Sequence, residues 1–207
     1  ENPYNFGDET YSFYNFYYNG MYNCFGMSST SSGYYIGALD YGAVGSDVTR
    51  THDLTATAKV KKMINHYQRI QGTPANKAIV AGGRIYLNKS ANLSADWNEV
   101  INYVKNHAYD GKGTLQISVK YLNSGHAVNF IRYEVVNGQE RLYVYDSNKP
   151  NEEMYYYRDS SGAVKSTATS AKIYCIALRD MLKYFNEVDG FKPTKTIYAD
   201  TASIAIE

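Results

Sequence analysis

The sequence predicts an α+β fold in which helices come first and an antiparallel sheet follows. In the first half, apolar residues recur at helical spacing, whereas beyond about residue 111 they alternate with a period of two. The chain has 207 residues, which is enough to bury a sizeable core, and it contains no internal repeat. We therefore expect one domain over 1–207, with a helical part over 1–110 and a β part over 111–207.

Three helices are predicted. The first covers 24–38, although its serines and glycines are poor helix formers. Over 54–70, apolar side chains fall near helical spacing, and the stretch QGTP at 71–74 ends the run. Over 94–108, Ser94 is placed to cap a segment with a single apolar stripe.

Five strands are predicted by alternation of apolar and polar residues. Between the second and third of them lies an Asn-Gly pair, a strong signal for a tight hairpin. The predicted strands are 114–121, 126–135, 140–146, 154–159 and 171–178.

Composition limits the partners that we expect. The formal net charge is +1, from 21 basic and 20 acidic residues, and the longest basic cluster is KVKK at 59–62. Such a balance argues against a nucleic-acid partner, and no apolar run approaches the ~20 residues that a membrane span needs. Twenty-three tyrosines and a low charged content suggest a secreted or cell-surface bacterial protein, which further domains could flank.

No metal or other cofactor is expected. The three histidines His52, His66 and His107 lack metal-ligand spacing with one another or with either cysteine. Two cysteines are also too few for the disulfide framework of a small secreted fold. One thiol can therefore be a nucleophile, and Cys175, within an alternating apolar run, reads as a buried bystander.

Cys24, His126 and Asp146 are the candidate catalytic residues. They occur in the order nucleophile, base and orienting group, with the cysteine at a predicted helix start and the other two on consecutive strands. A helix N-terminus and a neighbouring imidazolium both lower a thiol pKa, which populates the nucleophilic thiolate. A third group that binds the imidazole holds it in the useful tautomer.

Strand alternation sets a condition on this trio, because His126 and Asp146 must point to one face of their hairpin. A two-residue Asn-Gly turn would place Asp146 opposite Asn129 and so exclude His126 from that face. A three-residue loop over 136–138, with a bulge, would align Asp146 with Val128 and satisfy the condition. We therefore predict the three-residue loop, which leaves both Asp146 and Asn148 able to reach the imidazole.

The motifs GHAVNFIRYE at 125–134, RLYVYDSN at 141–148 and NCFGMS at 23–28 resemble the histidine, asparagine/aspartate and nucleophile regions of papain-like cysteine peptidases. They are most similar to a divergent bacterial branch, and the resemblance covers about residues 17–150. It implies a two-lobed papain-like fold that cleaves peptide bonds without a metal. It also implies Cys24 as nucleophile, His126 as general base and acid, and Asp146 as orienting residue.

Two positions differ from the family pattern. Papain has a glutamine six residues before its cysteine as an oxyanion donor, whereas Tyr18 stands there in this chain, with Asn19 one residue later. The side-chain amide of Asn19 is therefore the candidate oxyanion donor. Asn148 replaces a tryptophan that shields the histidine, and it is either a supporting residue or an alternative third member of the triad.

Three functions remain open on the sequence. The first is a cysteine peptidase that acts on a polypeptide substrate through a Cys24 acyl-enzyme. The second is a transglutaminase-like acyl transferase, because the same triad can pass the acyl group to an amine. The third is a catalytically idle papain-fold binding module that uses a tyrosine-rich surface.

Overall fold

The chain folds into an α+β structure, here a computed structural model. It describes residues 4–35, 37, 39–70, 84–86, 97, 98, 101, 102, 105, 116–121, 124–167 and 175–179. Over these residues the elements are β1 Tyr17–Tyr18, β2 Met21–Tyr22, α1 Cys24–Tyr35, α2 Ala58–Ile70, β3 Arg84–Tyr86, β4 Gln116–Tyr121, β5 Ser124–Val136, β6 Gln139–Tyr145, β7 Met154–Arg158, β8 Val164–Ser166 and β9 Cys175–Arg179, with short 3₁₀ turns at Tyr41–Val44 and Thr51–Asp53.

The main sheet has seven strands in the order β3-β9-β4-β5-β6-β7-β8, and every neighbouring pair is antiparallel. The two strands that lead to His126 and Asp146, β5 and β6, are adjacent and lie inside the sheet. The α+β prediction is confirmed. The hairpin β1–β2 and the three-residue strands β3 and β8 were not predicted.

Helix α1 is buried on all sides over residues 25–34, although most of these residues are small or carry hydroxyl groups. Two of its hydroxyls bond to carbonyls of the preceding turn, since Ser29 Oγ donates to Phe25 O (2.6 Å) and Thr30 Oγ1 donates to Gly26 O (2.8 Å), and Ser31 Oγ donates to Glu9 O outside the helix. Packing against other elements, rather than helix propensity, therefore stabilises α1.

Both helices are shorter than predicted. Helix α1 ends at Tyr35 instead of residue 38, because Gly37 adopts a left-handed φ of 72° that a helix cannot continue through. Helix α2 begins at Ala58 instead of residue 54, because Thr57 caps it. The carbonyl of Thr57 accepts from Lys61 N (2.9 Å), and its side chain accepts from Val60 N (3.3 Å).

The predicted three-residue loop of the β5–β6 hairpin is wrong. Val136 pairs with Gln139, so the turn has two residues, and Asn137 and Gly138 have φ values of 50° and 78°. Positive φ at both central residues is the pattern of a type I′ turn, which suits the twist of the strands.

One extra residue is needed to bring His126 and Asp146 to the same face of the hairpin, and it lies within β5 instead of in the turn. The register shifts between Phe130 and Arg132, so that Asn129 pairs with Tyr145. A β-bulge at this point adds one residue to β5. Continuing the register aligns Asp146 with Val128, on the face of His126.

Parts of two predicted elements lie outside the described residues. Within the predicted helix 94–108, the residues described (97, 98, 101, 102 and 105) are helical. Of the predicted strand 171–178, positions 175–178 belong to β9, and 171–174 lie outside the described residues.

One cluster of buried side chains joins α1 and α2 to the sheet, and aromatic residues supply much of it. Exposed tyrosines are concentrated around β1 and β2, at Tyr14, Tyr17 and Tyr22. The buried hydrophobic members of the cluster are Tyr4, Tyr11, Phe25, Met27, Tyr34, Leu39, Val44, Leu54, Val60, Met63, Ile64, Tyr67, Ala127, Ile131, Tyr143 and Tyr145. Among the helices in the described ranges, none has the length and apolar character to cross a membrane.

Candidate active site

Cys24 is the first residue of α1, and its thiol is free and half-buried. The N–H groups of the first helical turn have no acceptor inside the helix, so they give this end a partial positive charge. A thiolate at this position is stabilised by that charge and stays accessible to a reactant.

The surroundings of the thiol favour its ionised form. Burial raises the pKa of Cys24, but a hydrogen bond with His126 and the positive charge of that ring lower it, and the backbone N–H groups of Ala127 and Phe25 lower it further. The net pKa lies below the ordinary value for cysteine. Each of these contacts binds the thiolate better than the thiol.

His126 is buried between the thiol and a carboxylate. Its Nε2 lies 2.7 Å from Oδ1 of Asp146, which leaves Nδ1 as the ring nitrogen for Cys24. Burial lowers the pKa of His126, but the hydrogen bonds with Asp146 and Cys24, and the negative charges of both groups, raise it above the ordinary value. The arrangement therefore favours a thiolate–imidazolium pair.

Asp146 follows the last residue of β6 and begins a turn that also fixes its carboxylate. The backbone N–H of Asn148 donates to Asp146 Oδ1 (2.8 Å), and Lys149 N donates to the carbonyl of Asp146 (2.8 Å). The side-chain oxygen of Asn148 instead accepts from Asn15 Nδ2 (3.0 Å). Of the two candidate orienting residues, Asp146 thus contacts His126 through its side chain, and Asn148 supports Asp146 through its backbone.

A group of asparagines holds the chain that enters α1, and the sequence analysis did not identify them. Asn23 accepts the first helical hydrogen bond, from Met27 N (2.9 Å). Its side-chain amide donates to the carbonyls of Phe16 and Met21 (3.0 Å each), and its oxygen accepts from Asn65 Nδ2 (2.9 Å). The preference for asparagine at helix N-caps is the signal that could have found Asn23, whereas Asn65 carries no such local signal.

Gly26 and Gln68 fix α1 against α2. A Cβ on Gly26 would lie 2.1 Å from the carbonyl oxygen of Ile64, so only glycine permits this approach of the two helices. The N–H of Gly26, one of the unpaired donors of the first turn, is satisfied by Gln68 Oε1 (2.8 Å). The close packing of α1 on α2 thus explains why glycine stands at position 26 of the nucleophile motif.

Asn19, the candidate oxyanion donor, lies at the exposed tip of the β1–β2 hairpin. Its φ of 51° and the φ of 88° at Gly20 give this tip the same positive pattern as the other Asn-Gly turn. The carbonyl of Asn19 accepts from Arg69 (3.2 Å). Turn geometry alone accounts for Asn19 and Gly20, so the catalytic role of the Asn19 amide stays a prediction.

Within the described ranges, no three residues among the histidines, cysteines, aspartates and glutamates are grouped so that they could hold a metal ion. Cys175 lies on β9, and its side chain is outside the described set. No protein-family model matches the chain, and a search of curated proteins gave no match. The functional proposal therefore depends on the geometry around Cys24.

Proposed function

We propose that the chain is a cysteine peptidase that hydrolyses peptide bonds through an acyl-enzyme on Cys24. One observation carries the proposal: the Cys24 thiol, the His126 ring and the Asp146 carboxylate form a continuous hydrogen-bonded row. A helix, the strand β5 and the end of β6 supply them separately. A row of nucleophile, base and orienting group is the arrangement that activates a thiol for acyl transfer.

The order Cys24, His126, Asp146 and the motifs around them support placement in the papain-like superfamily. We extend the proposal to its two-lobed fold, with a helical lobe over 1–110 and a β lobe over 111–207. The tyrosine-rich, weakly charged composition supports a secreted or cell-surface location.

The proposed reaction starts from the thiolate of Cys24 and the imidazolium of His126. The thiolate of Cys24 forms a bond to the carbonyl carbon of the scissile peptide, and the electron pair of the C=O bond moves to oxygen. As the tetrahedral intermediate collapses, the C–N bond breaks and the imidazolium of His126 gives its proton to the leaving amine. Water, deprotonated by His126, then attacks the thioester, which releases the carboxylic acid and returns the thiol.

The negative oxygen of the tetrahedral intermediate needs donors that are fixed in advance. The backbone N–H of Cys24 belongs to the first turn of α1 and has no acceptor within the helix. We propose this N–H and the side-chain amide of Asn19 as the two donors.

The test is cleavage of a diverse peptide library by the full chain. We expect wild type to release new termini, Cys24→Ala to lose at least about 10³-fold in rate, and the matched control Cys175→Ala to retain activity. A thiol-reactive peptide probe should also label Cys24 before Cys175. Library cleavage by Cys24→Ala at the wild-type rate would contradict the proposal, as would an inactive wild type.

Adding a primary amine to the same reaction distinguishes hydrolysis from acyl transfer. A peptidase releases free carboxylic acids whether or not the amine is present. A transglutaminase-like enzyme would convert the acyl group into a new amide, which mass spectrometry of the products detects.

The exposed tyrosines favour a second candidate, a binding module. Tyr17 and Tyr22 are 65% and 63% exposed and pack edge to face, with ring centroids 5.3 Å apart. Exposed aromatic pairs of this kind are typical of contact surfaces. If wild type is inactive while Tyr17→Ala and Tyr22→Ala abolish binding to an immobilised peptide or glycan, the binding function is favoured over the peptidase.

A further inference from the structure

Asn15, which precedes the β1–β2 hairpin, makes three hydrogen bonds to two distant parts of the chain. Its backbone N–H donates to Ser147 O (2.7 Å), and its side-chain Nδ2 donates to Asn148 Oδ1 (3.0 Å). Its side-chain Oδ1 accepts from the backbone N–H of Asn23 (2.9 Å). One residue therefore contacts both the turn after β6 and the start of α1.

These contacts join the two ends of the candidate triad by a second route. Asn148, which binds Asn15 through its side chain, donates its backbone N–H to Asp146 Oδ1 (2.8 Å). Asn23, which donates to Asn15, is covalently bonded to Cys24. The row Asp146, Asn148, Asn15, Asn23, Cys24 thus runs alongside the direct row through the imidazole.

We propose that Asn15 is a positioning residue that sets the distance between the Cys24 thiol and the His126–Asp146 pair, an inference that rests on the proposed function. A side-chain amide carries a donor and an acceptor on one short planar group, and Asn15 uses both. Aspartate would keep the acceptor for Asn23 and lose the donor for Asn148. Alanine would lose both.

The test is the pH dependence of Cys24 alkylation by iodoacetamide in the full chain, followed at the Cys24 peptide by mass spectrometry. The variant Asn15→Ala removes one of the contacts that hold the start of α1 beside the imidazolium, and this ring keeps the thiol pKa low. We expect Asn15→Ala to move the midpoint of the profile up by about one pH unit, so that alkylation below the midpoint slows about tenfold.

Two further variants make the result specific. Asn148→Ala removes only the acceptor for Asn15 and leaves its backbone N–H on Asp146, so we expect a smaller upward shift. Because the two residues act through one contact, the double variant should shift no further than Asn15→Ala. Asn151→Ala, the same change at an exposed position beyond the turn, should leave the profile unchanged.

An unchanged alkylation profile in Asn15→Ala would overturn the inference, even if the variant were less stable. A double variant that shifts by the sum of the single variants would overturn it as well. Should Asn15→Ala not fold, Asn148→Ala decides, since its side chain is exposed. The assay needs no substrate, so a profile that shifts in a protein without peptidase activity would refute the proposed function alone.

Discussion

The charge on Asp146 is the residue-scale feature with the clearest chemical consequence. A neutral amide at this position would still accept a hydrogen bond from His126, so it would keep the orientation of the ring. It would not attract the positive charge of the imidazolium. Asp146 therefore both orients the His126 ring and stabilises its positive charge. The substitution Asp146→Asn separates these two effects.

We predict that Asp146→Asn lowers the pKa of His126 by about 1–3 units, because an opposite charge at contact distance stabilises the imidazolium by that amount. The pKa of His126 is raised in the folded protein, so the imidazolium is lost as pH rises through that value. The alkaline limb of peptidase activity should accordingly move to lower pH. The direct measurement is an NMR titration of the His126 ring.

Asp47→Asn is the matched control, since it removes one negative charge at an exposed position of the first half of the chain. It should leave the His126 titration within about 0.3 units of wild type. Equal titration curves in Asp146→Asn and wild type would mean that the carboxylate contributes orientation only.

The residue types of the candidate site could be predicted from the sequence, but their supports could not. Cys24, His126 and Asp146 lie in short motifs whose chemistry depends on the residues themselves. Asn15 and Asn65 act through side-chain contacts to residues 133 and 42 positions away. No local pattern marks an asparagine for such a role, because the need for it arises only when the chain has folded.

At the scale of elements, the β5–β6 hairpin places the histidine and the aspartate on one face by an unexpected device. Strand alternation places His126 and Asp146 on one face only if the hairpin contains one residue more than a two-residue turn provides. The structure contains that residue. The turn is the two-residue type that Asn137 and Gly138 prefer, and the extra residue is a bulge near Ile131. The run around Ile131 has no glycine or proline, so no sequence signal marks the bulge.

Contact between α1 and α2 at Gly26 gives the second prediction. Alanine at an open helical position stabilises a protein relative to glycine by about 0.5–1 kcal/mol. Here the added Cβ would lie 2.1 Å from the carbonyl oxygen of Ile64, so alanine should destabilise the protein instead of stabilising it. We expect Gly26→Ala to lower the free energy of unfolding by about 1–3 kcal/mol or more, as measured by urea denaturation.

Ser28→Ala is the control in the same helix. Among the residues that the structure describes, the buried hydroxyl of Ser28 has no hydrogen-bond partner, so its removal should be neutral or stabilising by up to about 1 kcal/mol. If Gly26→Ala were instead as stable as Ser28→Ala, the two helices would not be held in the close contact that the structure gives them.

At the scale of the whole molecule, strand β6 is buried on both of its faces over residues 142–145. Tyr143 and Tyr145 point into the cluster that contains α1 and α2, while Leu142 and Val144 alternate with them and are equally inaccessible. Alternation predicted the strands, yet it could not predict that the intervening face would also be covered. The short strands β3 and β8 were not predicted because three residues are too few to show an alternating period.

Tyrosines also contribute to the core, in addition to those exposed around β1 and β2. Several are core residues whose hydroxyl reaches a polar partner in α1 or β5, as Tyr4 does with Ser31 and Asn129. Tyr11 likewise bonds Thr30 of α1 through its hydroxyl (2.7 Å). Tyrosine suits this core because α1 presents hydroxyl groups rather than aliphatic side chains.

The final prediction concerns the cooperativity of this core. Tyr11→Phe removes one buried hydrogen bond from the N-terminal segment, so the free energy of unfolding should fall by about 0.5–2 kcal/mol. Tyr14→Phe, at a side chain that is 60% exposed, should change it by less than about 0.5 kcal/mol. Far-UV circular dichroism reports the helices and the sheet together. Fluorescence of Trp97, the only tryptophan, reports its buried site against Glu140 of β6 (3.1 Å).

Because one cluster joins the N-terminal segment, both helices and strands β5 and β6, we expect Tyr11→Phe to shift the urea midpoints of both probes equally. A shift of the dichroism midpoint alone would mean that the segment carrying Tyr11 and helix α1 unfolds separately from the sheet. In that case the thiol of Cys24 would become accessible to alkylation before Trp97 is exposed, and the triad would be lost at lower urea concentrations than the sheet.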